Sequence, residues 1–287
     1  MAEENGHEVP PGTVVVGVDG SPSAHTALGW AIDQATAEHR PLTLVHAEAR
    51  RATTGGRAVL DHSYDEVSKR APTLEVHRLL SVSEPRRLLL DLSADAALVV
   101  VGSRGRGPVR SVLLGSVGVA VARHASCPRV VVRPGHPGLV RHGVLVGVDG
   151  GQRSRGTLEF AFRQASLHRI PLTVLHTYVD SIVYGGVAGA PVPSMSDVRL
   201  DDLERERRLL AESMSRLQEK HPDVRVRAEL APGQPVEQLL ERAARMNLVV
   251  VGSHDRSTAS ELLFGSVAAH VVEHASCPVA IVPVGQC

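Results

Sequence analysis

The stretch Gly102-Ser103-Arg104-Gly105-Arg106-Gly107-Pro108-Val109-Arg110-Ser111-Val112-Leu113-Leu114-Gly115-Ser116-Val117 has the composition of a cradle for an anion. Gly102, Gly105 and Gly115 carry no Cβ, so backbone amides there can approach a ligand closely and take positive φ where a turn requires it. Ser116 falls where a helix should begin. As an N-cap it would offer a hydroxyl, and the free N–H groups and helix dipole behind it favour negative charge. Between the outer glycines Arg104, Arg106 and Arg110 stand without an acid, a formal +3. The expected chemistry is the binding of a phosphate chain.

The elements that must position this loop come from a duplication. Val14-Val15-Val16-Gly17-Val18-Asp19-Gly20 recurs as Val144-Leu145-Val146-Gly147-Val148-Asp149-Gly150, and His124-Ala125-Ser126-Cys127-Pro128 recurs as His274-Ala275-Ser276-Cys277-Pro278. The offset is 130 residues for the first pair and 150 for the second, so the second copy holds about twenty more residues between Thr177 and Val224. The spacing assigns 1–12 to a flexible N-terminus, 13–134 to a first domain, 135–142 to a Pro/Gly-rich linker and 143–284 to a second domain.

In the first copy, strands are expected at 13–18, 42–47, 74–80, 97–101 and 129–133, with helices at 22–38, 58–70, 85–95 and 116–124. In the second, strands are expected at 143–148, 172–177, 224–230, 248–251 and 279–283, with helices at 153–168, 198–220, 235–246 and 266–274. Leu98-Val99-Val100-Val101 and Leu248-Val249-Val250-Val251 are apolar without alternation, the mark of parallel strands covered on both faces. Strands alternating with helices imply a doubly wound, open-sheet α/β domain in each half. Leu200, Leu203, Leu210, Met214 and Leu217 repeat at helical spacing, a core-facing stripe. His46 and His176, inside apolar strands, read as structural hydrogen-bonding residues, and Cys127 and Cys277 as small apolar groups.

The second loop reads Gly252-Ser253-His254-Asp255-Arg256, then Gly265-Ser266, so the outer spacing survives while Asp255 replaces the middle glycine. Arg256 set against Asp255 and Glu261 leaves a formal −1 where the first loop has +3. Weaker nucleotide binding is expected there.

Thirty-one basic residues balance thirty-one acidic ones, so no overall field draws the chain to nucleic acid or an anionic membrane. The polar start, the absence of a long apolar run and three cysteines without metal spacing point to a cytoplasmic protein with reduced thiols and no protein-built metal site.

Gly-x2-Gly-x9-Gly-[Ser/Thr] after the fourth strand resembles the nucleotide loop of the universal stress protein family, in its tandem form, and Gly102, Gly105, Gly115 and Ser116 match every position. The likeness extends to the opening strand ending in Asp and the closing Ser-Cys-Pro segment of both copies. It implies two Rossmann-like, adenine-nucleotide-hydrolase-like domains, each a five-stranded parallel sheet with helices on both faces. It also implies ATP as ligand, with Asp19 as the residue through which Mg could be held.

By the same resemblance Gly17 belongs to the adenine slot, Asp19 lies near ribose and phosphates, and the Ala47 backbone reads the adenine edge. Val101 packs on the base, and Ser116 and Val117 meet the terminal phosphates. The second-copy counterparts are Gly147, Asp149, Thr177, Gly252, Gly265, Ser266 and Val267. Asp19 also precedes Gly20-Ser21-Pro22 and could simply cap the first helix.

Three functions remain open at this point. One is an ATP-binding stress-response regulator that works through conformation, a homodimer and an unknown regulatory partner. The second is a slow ATPase, and the third is a nucleotide-free scaffold assembling through its fifth strands. The chain has no Gly-x4-Gly-Lys-[Ser/Thr] sequence, and its first turn does not match the Ser-Gly-Gly-x-Asp-Ser loop of ATP pyrophosphatases.

Overall fold

The computed structural model describes residues 9–48, 54–105, 114–133, 142–178, 195–253 and 265–283, without the side chains of Gln152 and of residues 195–202. Residues 135–141 of the expected linker at 135–142, the inner loop residues 106–113 and 254–264, and most of the second-copy insertion therefore lie outside the described residues.

The chain divides into two compact units, Met1–Pro137 with Val272–Pro283, and Gly138–Val271 with Val284–Cys287. In the first unit β1 (Val14–Gly17), β2 (Leu42–Ala47), β3 (Val76–Ser81), β4 (Leu98–Gly102) and β5 (Arg129–Val132) form a parallel sheet in the order β3-β2-β1-β4-β5. Strand order reverses beside β1 and β4, which opens a crevice at their carboxyl ends. Helices α1 (Pro22–Glu38), α2 (Thr54–Arg70), α3 (Pro85–Leu92) and α4 (Ser116–His124) connect the strands.

Val99 and Val100 on β4, and Val14, Val15 and Val16 on β1, are fully buried, as their uninterrupted apolar runs require. Helix α1 begins where the sequence places it because Ser21 caps it, its Oγ accepting from Ala24 N at 3.2 Å, with Pro22 at the first helical position. The cap is thus Ser21 rather than Asp19. Asp19 Oδ1 instead accepts from Ser21 N at 2.8 Å, bending the turn between β1 and α1.

In the second unit β6 (Val144–Val148), β7 (Leu172–Tyr178), β8 (Val226–Pro232) and β9 (Leu248–Ser253) are parallel in the order β9-β6-β7-β8. Helices α5 (Arg155–His168), α6 (Met195–Lys220), α7 (Pro235–Ala243) and α8 (Ser266–His274) accompany them. Leu210, Met214 and Leu217 of α6 are buried, so the expected stripe does face the core. The last strand, β10 (Val279–Pro283), falls with the first unit and runs antiparallel to β5, with Ala280 opposite Val130. Among the described residues no helix is long and apolar enough to cross a membrane.

Cys127 lies between α4 and β5, and burial pushes its thiol up to about 11 from the ordinary 9.0, against the smaller opposing pull of Arg129. An acid whose folded pKa is raised stabilises the fold fully below its unfolded pKa, and that contribution is lost as pH rises through the folded value. Cys127 is therefore expected to resist alkylation at pH 8 in the native protein, and the stability it contributes is expected to decline between pH 9 and about 11. Mass-spectrometric thiol labelling along a denaturant series checks the first statement, and its comparison with Cys127→Ala across that pH range checks the second.

Candidate functional site

At the carboxyl end of the first unit's sheet a cavity of about 1040 Å³ opens over the strand-order reversal. All nine first-copy site residues, Gly17, Asp19, Ala47, Val101, Gly102, Gly105, Gly115, Ser116 and Val117, line it. Gly17 and Val101 form its floor with Leu89, since a Cβ at Gly17 would stand 3.4 Å from Leu89 Cδ1 and 3.7 Å from Val101 Cγ1.

The loop after β4 is pinned at its base. Gly115 N donates to Ser103 O at 2.9 Å, and Arg104 N donates to Ser23 Oγ at 3.1 Å. Ser21 Oγ donates to Arg104 O at 3.4 Å, so the cap of α1 also holds the loop.

Two glycines of this loop, among its described residues, have no room for a side chain. A Cβ on Gly102 would lie 2.7 Å from the backbone carbonyl of Ser23, and one on Gly105 would lie 2.9 Å from Asp19 Oδ2. Asp19 Oδ2 therefore faces the loop, and among the described residues it has no hydrogen-bond partner.

The structure corrects one expected detail. Gly115, with φ −70° and ψ 158°, is the N-cap of α4 and gives no side-chain cap, whereas Ser116 is the first helical residue and is exposed. A residue without a Cβ lets the loop close against Ser103 as the helix starts, which leaves the Ser116 hydroxyl free of a capping bond. The first helical bond runs from Val119 N to Gly115 O, so the amides of Ser116, Val117 and Gly118 are left for a ligand or solvent. The nearby Arg133 guanidinium is held below its ordinary range, first by burial and then by the Arg104 cation.

His46 also lines the cavity, but its Nδ1 is 2.6 Å from Val18 O, which makes it the structural residue expected. Pro85, Leu89, Arg104 and Leu114 join the lining without having been singled out as contacts. The Leu spacing of α3 was the available signal for Leu89; only its docking on β2 could show which leucine faces inward.

In the second unit a separate cavity of about 450 Å³ is lined by all seven second-copy residues, Gly147, Asp149, Thr177, Gly252, Gly265, Ser266 and Val267. Arg153, Ser154, Thr157, Pro235 and Leu239 complete much of its wall. His176 mirrors His46, with Nδ1 2.9 Å from Val148 O. The charge contrast between the loops rests on Arg106, Arg110, Asp255, Arg256 and Glu261, which lie outside the described residues.

The sequence profile of the Universal stress protein family matches residues 11–133 and again 141–283. The chain belongs to the universal stress protein family. Its tandem length is shared by curated relatives. A universal stress protein of Mycolicibacterium smegmatis is 34% identical over 290 residues, covering 94% of this chain and 96% of its own. Universal stress protein Rv2623 of Mycobacterium tuberculosis is 33% identical over 292 residues, covering 93% and 95%. A solved Pseudomonas aeruginosa protein, PA1789, described as functionally unknown, superposes with a TM-score of 0.71 at 16% identity, covering 96% of this chain and 93% of that one. That likeness concerns the fold alone.

Proposed function

We propose that this universal stress protein binds ATP in the first unit's cavity and that occupancy serves as a regulatory signal rather than as the start of a metabolic reaction. The observation that carries the reading is the gathering of all nine candidate residues, from four separate segments of chain, around one cavity. The residues present suit a nucleotide. Gly105 leaves a space that a Cβ would fill against Asp19, and the three leading amides of α4 have no helical acceptor.

Gly17, Leu89 and Val101 would flank the base, the Ala47 backbone its edge, and Ser116 and Val117 the terminal phosphates. Asp19 Oδ2, which accepts no hydrogen bond among the described residues, would meet a ribose hydroxyl or a magnesium ion. Arg104, which lines the cavity, would give a bound phosphate chain a cation. His46 spends its Nδ1 on Val18 O, which supports binding over proton transfer.

Titration of the full chain with ATP and Mg by calorimetry is expected to show one saturable site that is lost with Gly105→Val. No heat of binding at millimolar ATP would refute the reading. The proposal includes a homodimer and a regulatory partner that reads the bound state, which sedimentation velocity with and without ATP addresses.

A further inference from the structure

The two copies differ most where the first helix of each begins. Ser21-Pro22-Ser23 in the first becomes Gly151-Gln152-Arg153 in the second. With neither a capping serine nor a proline at those positions, the chain makes a 3-10 turn over Gln152–Ser154, and α5 starts only at Arg155. Ser154 lies at the end of that turn, and its hydroxyl makes no cap bond to α5. It donates to Asp149 Oδ1 at 2.6 Å, an oxygen that also accepts from Gly151 N at 2.9 Å.

Asp149 Oδ1 thus serves two donors of its own turn where Asp19 Oδ1 serves one. The same turn presents Arg153 to the second cavity. Arg153 is an exposed residue and makes no hydrogen bond or ion pair among the described residues. In the first copy that position holds Ser23, whose hydroxyl is used to tie down the loop after β4. The same lining includes the apolar side chains of Leu175, Leu239 and Val251.

We propose that the second cavity is a site of different selectivity, for a nucleotide with a single phosphate, which Arg153 grips directly and without a divalent metal. This rests on the reading that these cavities take nucleotides. A hard cation needs carboxylate oxygens that are not already spent, and Asp149 Oδ1 already serves two donors. A planar guanidinium instead matches phosphate oxygens in a bidentate pair and needs no metal. One such cation balances a monophosphate far better than it does a triphosphate.

The test uses the full chain carrying Gly105→Val, which silences the first cavity, titrated with AMP in the presence of EDTA. One AMP per chain is expected, bound more tightly than ATP and no more tightly when magnesium replaces EDTA. Adding Arg153→Gln is expected to weaken AMP at least tenfold while leaving adenosine binding unchanged. The absence of saturable AMP binding, a requirement for magnesium, or an unaltered AMP affinity in Arg153→Gln would each overturn the proposal. So would an equal loss for adenosine, since Arg153 would then be supporting the fold rather than the phosphate. Binding of ATP with Mg by Arg153→Gln alone reports on the first cavity, so failure of the regulatory reading is seen separately.

Discussion

Gly105→Val is expected to weaken ATP binding by the first unit about 100-fold, equivalent to about 2.7 kcal/mol, while leaving the melting transition nearly in place. Even a single added Cβ would lie 2.9 Å from Asp19 Oδ2, and Asp19 cannot swing away without breaking the 2.8 Å bond that its Oδ1 accepts from Ser21 N. Losing one charge-assisted hydrogen bond to a ligand costs about 1.5–3 kcal/mol, and narrowing the cradle adds to that. Gly105 sits on a solvent-exposed stretch of loop, so the strain is relieved into the site rather than into the core. Gly102→Ala gives the contrasting result. Its Cβ meets the Ser23 backbone at 2.7 Å, so both stability and binding are expected to fall. Calorimetric titration beside a denaturant melt separates the two. Equal ATP affinity for Gly105→Val and the unaltered chain would show that the loop does not hold the nucleotide.

Arg129→Ala is expected to cost the first unit about 3–5 kcal/mol, read from urea melts. Arg129 is 2% exposed, and its guanidinium lies under the C-terminus of α4. Nε and Nη2 donate to Ala122 O at 3.0 and 2.7 Å, and Nη1 donates to Ala125 O at 3.3 Å. Burial pulls its pKa down to about 10, which still leaves it charged at neutral pH and opposite the negative end of the helix dipole.

Truncation removes three donors and opens a cavity at once. Arg129→Met keeps most of the volume and sheds the cost of burying a charge, so about half the loss is expected. Equal losses for the two variants would assign the whole effect to the hydrogen bonds, and a negligible loss for Arg129→Ala would deny the capping role. Because α4 carries Ser116 and Val117 at its other end, weaker ATP binding is expected alongside the lower stability.

Most of the element order was legible because it depends on local periodicity and punctuation. Pro22, Pro85 and Pro235 each open a helix within a residue of its expected start. The runs at Leu98 and Leu248, read as strands covered on both sides, are the strands β4 and β9. Helix α5 is the instructive exception. The apolar pattern supports a helix from 153, yet without a proline or a cap the first turn relaxes to 3-10 geometry and re-aims Arg153. Helix α2 begins at Thr54, four residues ahead of its expected start, because Gly55 and Gly56 argue against a helix in isolation, while Gly56 in place packs beside His46 and Glu48.

The duplication, the glycine loop and its place after the fourth strand were determined by the sequence alone, since each is a matter of residue type and spacing along the chain. The folded structure decided which distant groups meet those features: Asp19 against Gly105, Arg129 beneath α4, and Ser154 on Asp149 while Arg153 lines the second cavity. Those partners come from different segments, and a polar side chain in an apolar strand or a helix start carries no local mark of what it will face. Burial and hydrogen-bond satisfaction impose that choice only once the layers have packed.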